Sequence, residues 1–111
     1  MQTGMGKAIV EEFIDSLDGK MQKKVMFVLQ LAEADGIIPV QYFKHLENSD
    51  GIYEFRVQSG GEIVRLLCFW GIGNTLVLTH GFKKKTQKTP KSEIEFAQRW
   101  KRIYLQTKAK Q

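Results

Sequence analysis

The chain is poor in the residues that most often carry chemistry. It has one cysteine, Cys68, and two histidines, His45 and His80, in 111 residues. A lone cysteine cannot close an internal disulfide, which suits a reducing cytoplasm. A zinc site needs three or four closely placed ligands, and His45, Cys68 and His80 are widely spaced, so neither a metal nor another cofactor is expected. No apolar run reaches the roughly 20 residues that cross a bilayer. The opening Met1 to Lys7 has no apolar stretch ahead of a small-residue cleavage site, so it does not read as a secretory leader. No glycine-rich loop precedes a helix. Gly71-Ile72-Gly73 lies between two strand-like runs and reads as a hairpin turn, not a phosphate cradle.

What the chain has is positive charge, unevenly placed. Residues 83–111 carry ten basic and two acidic residues, a balance of +8, while residues 1–82 carry seven basic and ten acidic, a balance of −3. A basic segment on a mildly acidic body points to a polyanionic partner. The dense run Lys83-Lys84-Lys85-Thr86-Gln87-Lys88 stands before a helix rather than at a frayed end. A loop held between two elements keeps its cations together, which favours nucleic acid over a solvated tail.

The length fits one domain, residues 1–111. Val10, Phe13, Ile14 and Leu17 recur at helical spacing, Asp18-Gly19 interrupts, and Met21, Val25, Val28, Leu29 and Ala32 make a second helical face. Gly36 is suited to close it. The two helices are expected to form a hairpin. Residues 37–50 show no regular period. Tyr53, Phe55 and Val57 then alternate with Glu54 and Arg56, as in a half-buried strand. Residues 62–70 are apolar on both faces, which predicts a central strand, and residues 75–81 make a third. Short Gly-containing turns make the three an antiparallel meander. Thr89-Pro90 announces a last helix, with Thr89 as its N-cap, Pro90 at its first helical position and a stripe of Phe96, Trp100 and Ile103. The order predicts an α+β domain with helices on one face of a curved antiparallel sheet.

Three cationic groups stand on these strands. Arg56 lies on the non-core face of the first. Arg65 interrupts the central strand, where a charge needs an open face or a partner; a salt bridge to Glu54 or Glu62 is the alternative to a substrate contact. His80 ends the third strand beside the lysine run. On adjacent strands, Arg56, Arg65 and His80 can converge on one sheet face under the loop, and such a cluster can neutralise charge developing on a scissile phosphate. Cys68, between apolar neighbours, reads as a buried, inert thiol.

The strings Lys44-His45-Leu46-Glu47, Gly51-Ile52-Tyr53-Glu54-Phe55-Arg56, Arg65-Leu66-Leu67 and His80-Gly81-Phe82-Lys83-Lys84-Lys85-Thr86-Gln87-Lys88-Thr89-Pro90 resemble the phage-derived HigB-like branch of the RelE toxin superfamily. The resemblance runs from about Val10 to about Tyr104. Tyr-Glu-Phe-Arg stands where Tyr-Glu-Leu-Arg is more usual. The resemblance implies a RelE-like fold and a toxin of a type II toxin–antitoxin pair that cuts mRNA in the ribosomal A site without a metal. It implies catalytic roles for Arg65, His80, Lys84 and Lys85, RNA contacts from Arg56, Lys83, Lys88 and Lys91, and an antitoxin partner with a helix-turn-helix domain. Relatives usually begin with a strand. Here only about seven residues, 2–8, precede the helical pattern, so that strand is expected to be short or missing.

Two other readings fit the charge: a non-catalytic module docking on nucleic acid or an acidic protein, and a degenerate toxin that folds without cutting.

Overall fold

The computed structural model describes residues 7–35, 38–83 and 88–109. Three helices, α1 (Lys7–Asp15), α2 (Gly19–Asp35) and α3 (Lys91–Ala109), accompany four strands, β1 (Phe43–His45), β2 (Ile52–Ser59), β3 (Glu62–Trp70) and β4 (Leu76–Lys83). The first residues and Gly36 lie outside the described set, so the expected short or missing first strand and the Gly36 cap do too.

Asp18 starts α2. Its Oδ1 accepts a hydrogen bond from the Met21 amide at 2.8 Å and its carbonyl accepts one from the Gln22 amide at 2.9 Å, so the break between the helices is an N-cap. The sheet is antiparallel throughout in the order β1-β2-β3-β4, which makes β3 an inner strand, as its apolar pattern predicts. The three-residue β1 is a fourth strand within the stretch that lacks a period; three residues are too few to show one.

Both faces of the sheet are covered, not one. Phe55, Val57, Val64, Leu66, Cys68 and Leu78 pack with Val10, Met21, Val25 and Val28 of α1 and α2. On the opposite face Ile52, Leu67, Phe69 and Val77 pack with Ala97 and Tyr104 of α3. An inner strand apolar on both faces requires this, because each face must be removed from water.

Two contacts set how closely the layers approach. A Cβ on Gly81 would lie 2.5 Å from both Leu66 Cδ2 and Phe13 Cδ2, so only glycine lets α1 seat against β4 at this point. On the other face, α3 is tied to the β1–β2 turn: the Asp50 amide donates to Gln98 Oε1 at 2.8 Å, and Lys101 Nζ donates to the Asp50 carbonyl at 2.8 Å.

Candidate nucleic-acid interface

The alternation along β2 and β3 sends Arg56 and Arg65 to the α3 face, directly opposite one another in the ladder. His80 reaches that face by a different route. Leu67 pairs with His80, whereas the next residue, Cys68, pairs with Leu78, so β4 carries one extra residue, Thr79. This bulge inverts the alternation for the rest of the strand. His80 and Phe82 turn towards α3, and Gly81 turns towards α1. Thr79 Oγ1 holds the bulge by donating to the Leu67 carbonyl at 3.1 Å, and it lies 3.0 Å from His80 Nδ1. Arg56, Arg65 and His80 therefore share one face.

They do not share exposure. Arg65 is fully buried. Its Nη1 donates to Glu54 Oε1 at 2.8 Å and to Thr89 Oγ1 at 3.3 Å, and Thr89 Oγ1 in turn donates to Glu54 Oε2. Of the two carboxylates open to Arg65 from sequence, the partner is Glu54. The buried charge is thus matched on the adjacent strand, as burial of an ion requires. This network also corrects the expected cap. The Thr89 hydroxyl points into the core instead of onto the helix, and the Pro90 carbonyl receives the amides of Glu93 and Ile94 at 3.1 and 3.3 Å, so α3 starts one residue later, at Lys91.

His80 is 8% exposed. Its ring meets Phe96 edge-on at 4.6 Å and stacks on Phe82 at 5.8 Å. Burial holds its pKa below the ordinary 6.5, and the Glu93 carboxylate, 3.7 Å from Nε2, pulls partly the other way. The ring is therefore neutral at pH 7 and has a carboxylate beside it. Arg56 is partly exposed. Burial first, and the charge of Glu54 second, push the Cys68 thiol well up, so it is an inert core group.

The remaining expected contacts separate. Lys83 pairs with Val64 and so belongs to the α1–α2 face, where its Nζ lies 3.8 Å from Glu62. Lys84 and Lys85 lie outside the described residues. Lys88 and Lys91 are exposed and flank Thr89, with Lys91 Nζ 4.0 Å from Glu95.

Lys88 and Lys91 border a cleft that the sequence did not single out. It opens between the β1–β2 turn and the start of α3, with a volume of about 420 Å³, and is lined by Lys44, His45, Glu47, Asn48, Lys88 and Thr89 among others. A continuation of about 230 Å³ shares Asn48, Lys88 and Thr89 and adds Lys91 and Gln98. Asn48 takes a left-handed conformation (φ 61°) that turns the chain at the cleft wall. The sequence signal for this wall is the Lys44-His45-Leu46-Glu47 string. Thr89 joins the two regions: it lines the cleft while its hydroxyl closes the Glu54–Arg65 network.

No helix among the described residues is long and apolar enough to cross a membrane. The family model described as phage derived protein Gp49-like (DUF891) matches residues 12–102. No curated protein matches the chain.

Proposed function

The chain belongs to the phage-derived Gp49-like family, a RelE/HigB-like toxin family, and on that footing we propose that it is the toxin of a type II toxin–antitoxin pair, a one-domain member of the HigB-like branch. It acts in the cytoplasm as a ribosome-dependent endoribonuclease, cutting mRNA in the A site, and its antitoxin carries a helix-turn-helix domain. The observation that carries this reading is the Thr79 bulge, which turns His80 to the face of Arg56 and Arg65.

RNA cleavage of this class needs a base for the 2′-hydroxyl, cations on the non-bridging phosphate oxygens and an acid at the leaving 5′-oxygen. The 2′-oxygen attacks the adjacent phosphorus, the P–O5′ bond breaks, and the products are a 2′,3′-cyclic phosphate and a 5′-hydroxyl. A buried, neutral His80 beside Glu93 suits the proton-transfer role, since its unprotonated form dominates at neutral pH. Arg56 is the partly exposed arginine of this face and serves as the phosphate clamp. Lys84 and Lys85 supply further charge, and Lys88 and Lys91 hold flanking phosphates. Arg65 acts one step back, by fixing Glu54 and Thr89.

A second reading, a binding module without catalysis, draws on the burial of Arg65 and His80. Induction in bacteria separates the two. The nuclease reading expects growth arrest, new 5′-hydroxyl ends within translated messages, and loss of both in His80→Gln and Arg56→Ala at equal expression. Arrest with intact messages, or cleavage undiminished in both variants, overturns it.

A further inference from the structure

A buried imidazole can trade protons with a substrate only through a neighbour that reaches the surface. His80 Nε2 is buried and, among the described residues, has no hydrogen-bond partner. The rest of the ring is closed off. Phe96 meets it edge-on, Phe82 stacks on it, and Thr79 Oγ1 lies 3.0 Å from Nδ1. Glu93 is placed differently. Its carboxylate stands 3.7 Å from Nε2, and its side chain is 27% exposed, so it meets both the ring and water. It lies in the first turn of α3, where the helix dipole favours a charged carboxylate, the form that accepts a proton.

Thr79 sets which ring nitrogen is open. A hydroxyl has a single hydrogen to donate, and Thr79 gives it to the Leu67 carbonyl at 3.1 Å. Its oxygen is then left to accept the hydrogen on His80 Nδ1. The neutral ring therefore carries its proton on Nδ1 and turns the lone pair of Nε2 towards Glu93. We propose that Glu93 is a further catalytic residue, the surface end of a proton relay to His80, and that Thr79 is the positioning residue that keeps Nε2 open to it. The inference rests on the nuclease reading. The 2′-hydroxyl gives its proton to the Glu93 carboxylate, which passes it to Nε2. The electron pair left on the 2′-oxygen forms the bond to phosphorus. The P–O5′ bond breaks, O5′ takes a proton from water, and the imidazolium returns its own proton to the hydroxide so formed.

The test uses the full chain, made by cell-free synthesis and added to ribosomes carrying a defined message. Glu93→Gln keeps the size of the side chain and removes its basicity. It is expected to slow cleavage at saturating chain by about 100-fold, and by no less than about tenfold, with ribosome affinity unchanged. The ¹⁵N NMR signals of the His80 ring, assigned by their loss in His80→Gln, are expected to show the proton on Nδ1. Thr79→Ser keeps both that pattern and the cleavage rate. Thr79→Val, which has the same shape without the hydroxyl, moves the proton towards Nε2 and slows cleavage. A wild-type ring protonated on Nε2 overturns the proposal, as does a Glu93→Gln loss that comes from weaker ribosome binding. Cuts that persist in Glu93→Gln at more than about a tenth of the wild-type rate overturn the relay alone. A wild-type chain that makes no cuts overturns the nuclease reading and the relay together.

Discussion

Arg65 Nη1 lies 2.8 Å from Glu54 Oε1, and neither side chain is exposed to water. A central-strand arginine is tolerated here because its charge is cancelled on the next strand and its hydrogen bonds extend to Thr89. Removing one partner leaves the other charge buried and unmatched. Arg65→Ala is therefore expected to lose about 3–5 kcal/mol of stability, measured by urea unfolding. A combined Glu54→Leu and Arg65→Met replacement, which removes both charges, is expected to recover most of that loss. An Arg65→Ala variant as stable as wild type would mean that the carboxylate finds water or another cation.

That pair also marks where the sequence was readable and where it was not. The helical hairpin, the meander and the last helix follow from periods of 3.6 and 2 and from turn residues, and the structure has them. Cover on both faces was implied by the double apolar pattern of residues 62–70, although helices on one face were expected. The burial of Glu54 was not legible: in Tyr53-Glu54-Phe55-Arg56 it alternates like a solvent-facing residue, and only the neighbouring strand and Thr89 show what it is for. The Thr79 bulge had no signal, since no glycine or proline marks it. It nonetheless decides which way His80 points. The cleft is built from a three-residue strand, a turn and the first turn of α3, which no single periodic segment reveals.

His80 makes the stability depend on pH in a defined direction. Its folded pKa lies below 6.5, chiefly through burial, so the unfolded chain takes up its proton first as the pH falls. Over the window from about 6.5 down to the folded value the unfolded state binds more protons, and stability declines with falling pH. His80→Gln is expected to flatten this part of the decline, measured as the difference in unfolding free energy between about pH 7.5 and pH 5. Glu93→Gln removes the group that raises the pKa, so it is expected to carry the His80 titration, followed by its ring NMR signals, to still lower pH. An upward movement would mean that Glu93 is not what His80 senses.

Gly81 tests the seating of α1. A methyl group there meets Leu66 and Phe13 at 2.5 Å, where Leu66 is locked in the buried core and Phe13 is a rigid ring packed against it. Gly81→Ala is expected to cost about 1–3 kcal/mol through overpacking. The second change Phe13→Leu, which makes room on α1, is expected to restore part of it. Unaltered thermal unfolding of the single variant would show that α1 can shift away without loss.

The cleft between the β1–β2 turn and α3 makes the last prediction, and salt is the variable that reads it. Lys44 of β1 and Lys88 and Lys91 around the start of α3 line it from two separate segments, and each that meets a phosphate releases counterions on binding. For single-stranded RNA each contact contributes about −0.7 to the slope of log affinity against log salt. Replacing all three with Gln is expected to flatten the slope of ribosome or RNA binding by about two units. The weakening should be the same whatever the codon, because phosphate contacts position the chain and carry no sequence information. Lys83→Gln serves as the control. Its side chain belongs to the opposite face beside Glu62, so the slope should change by less than one contact's worth. If the triple variant keeps the wild-type slope, these lysines are a solvated rim, and the RNA must be held elsewhere, on the Arg56 face.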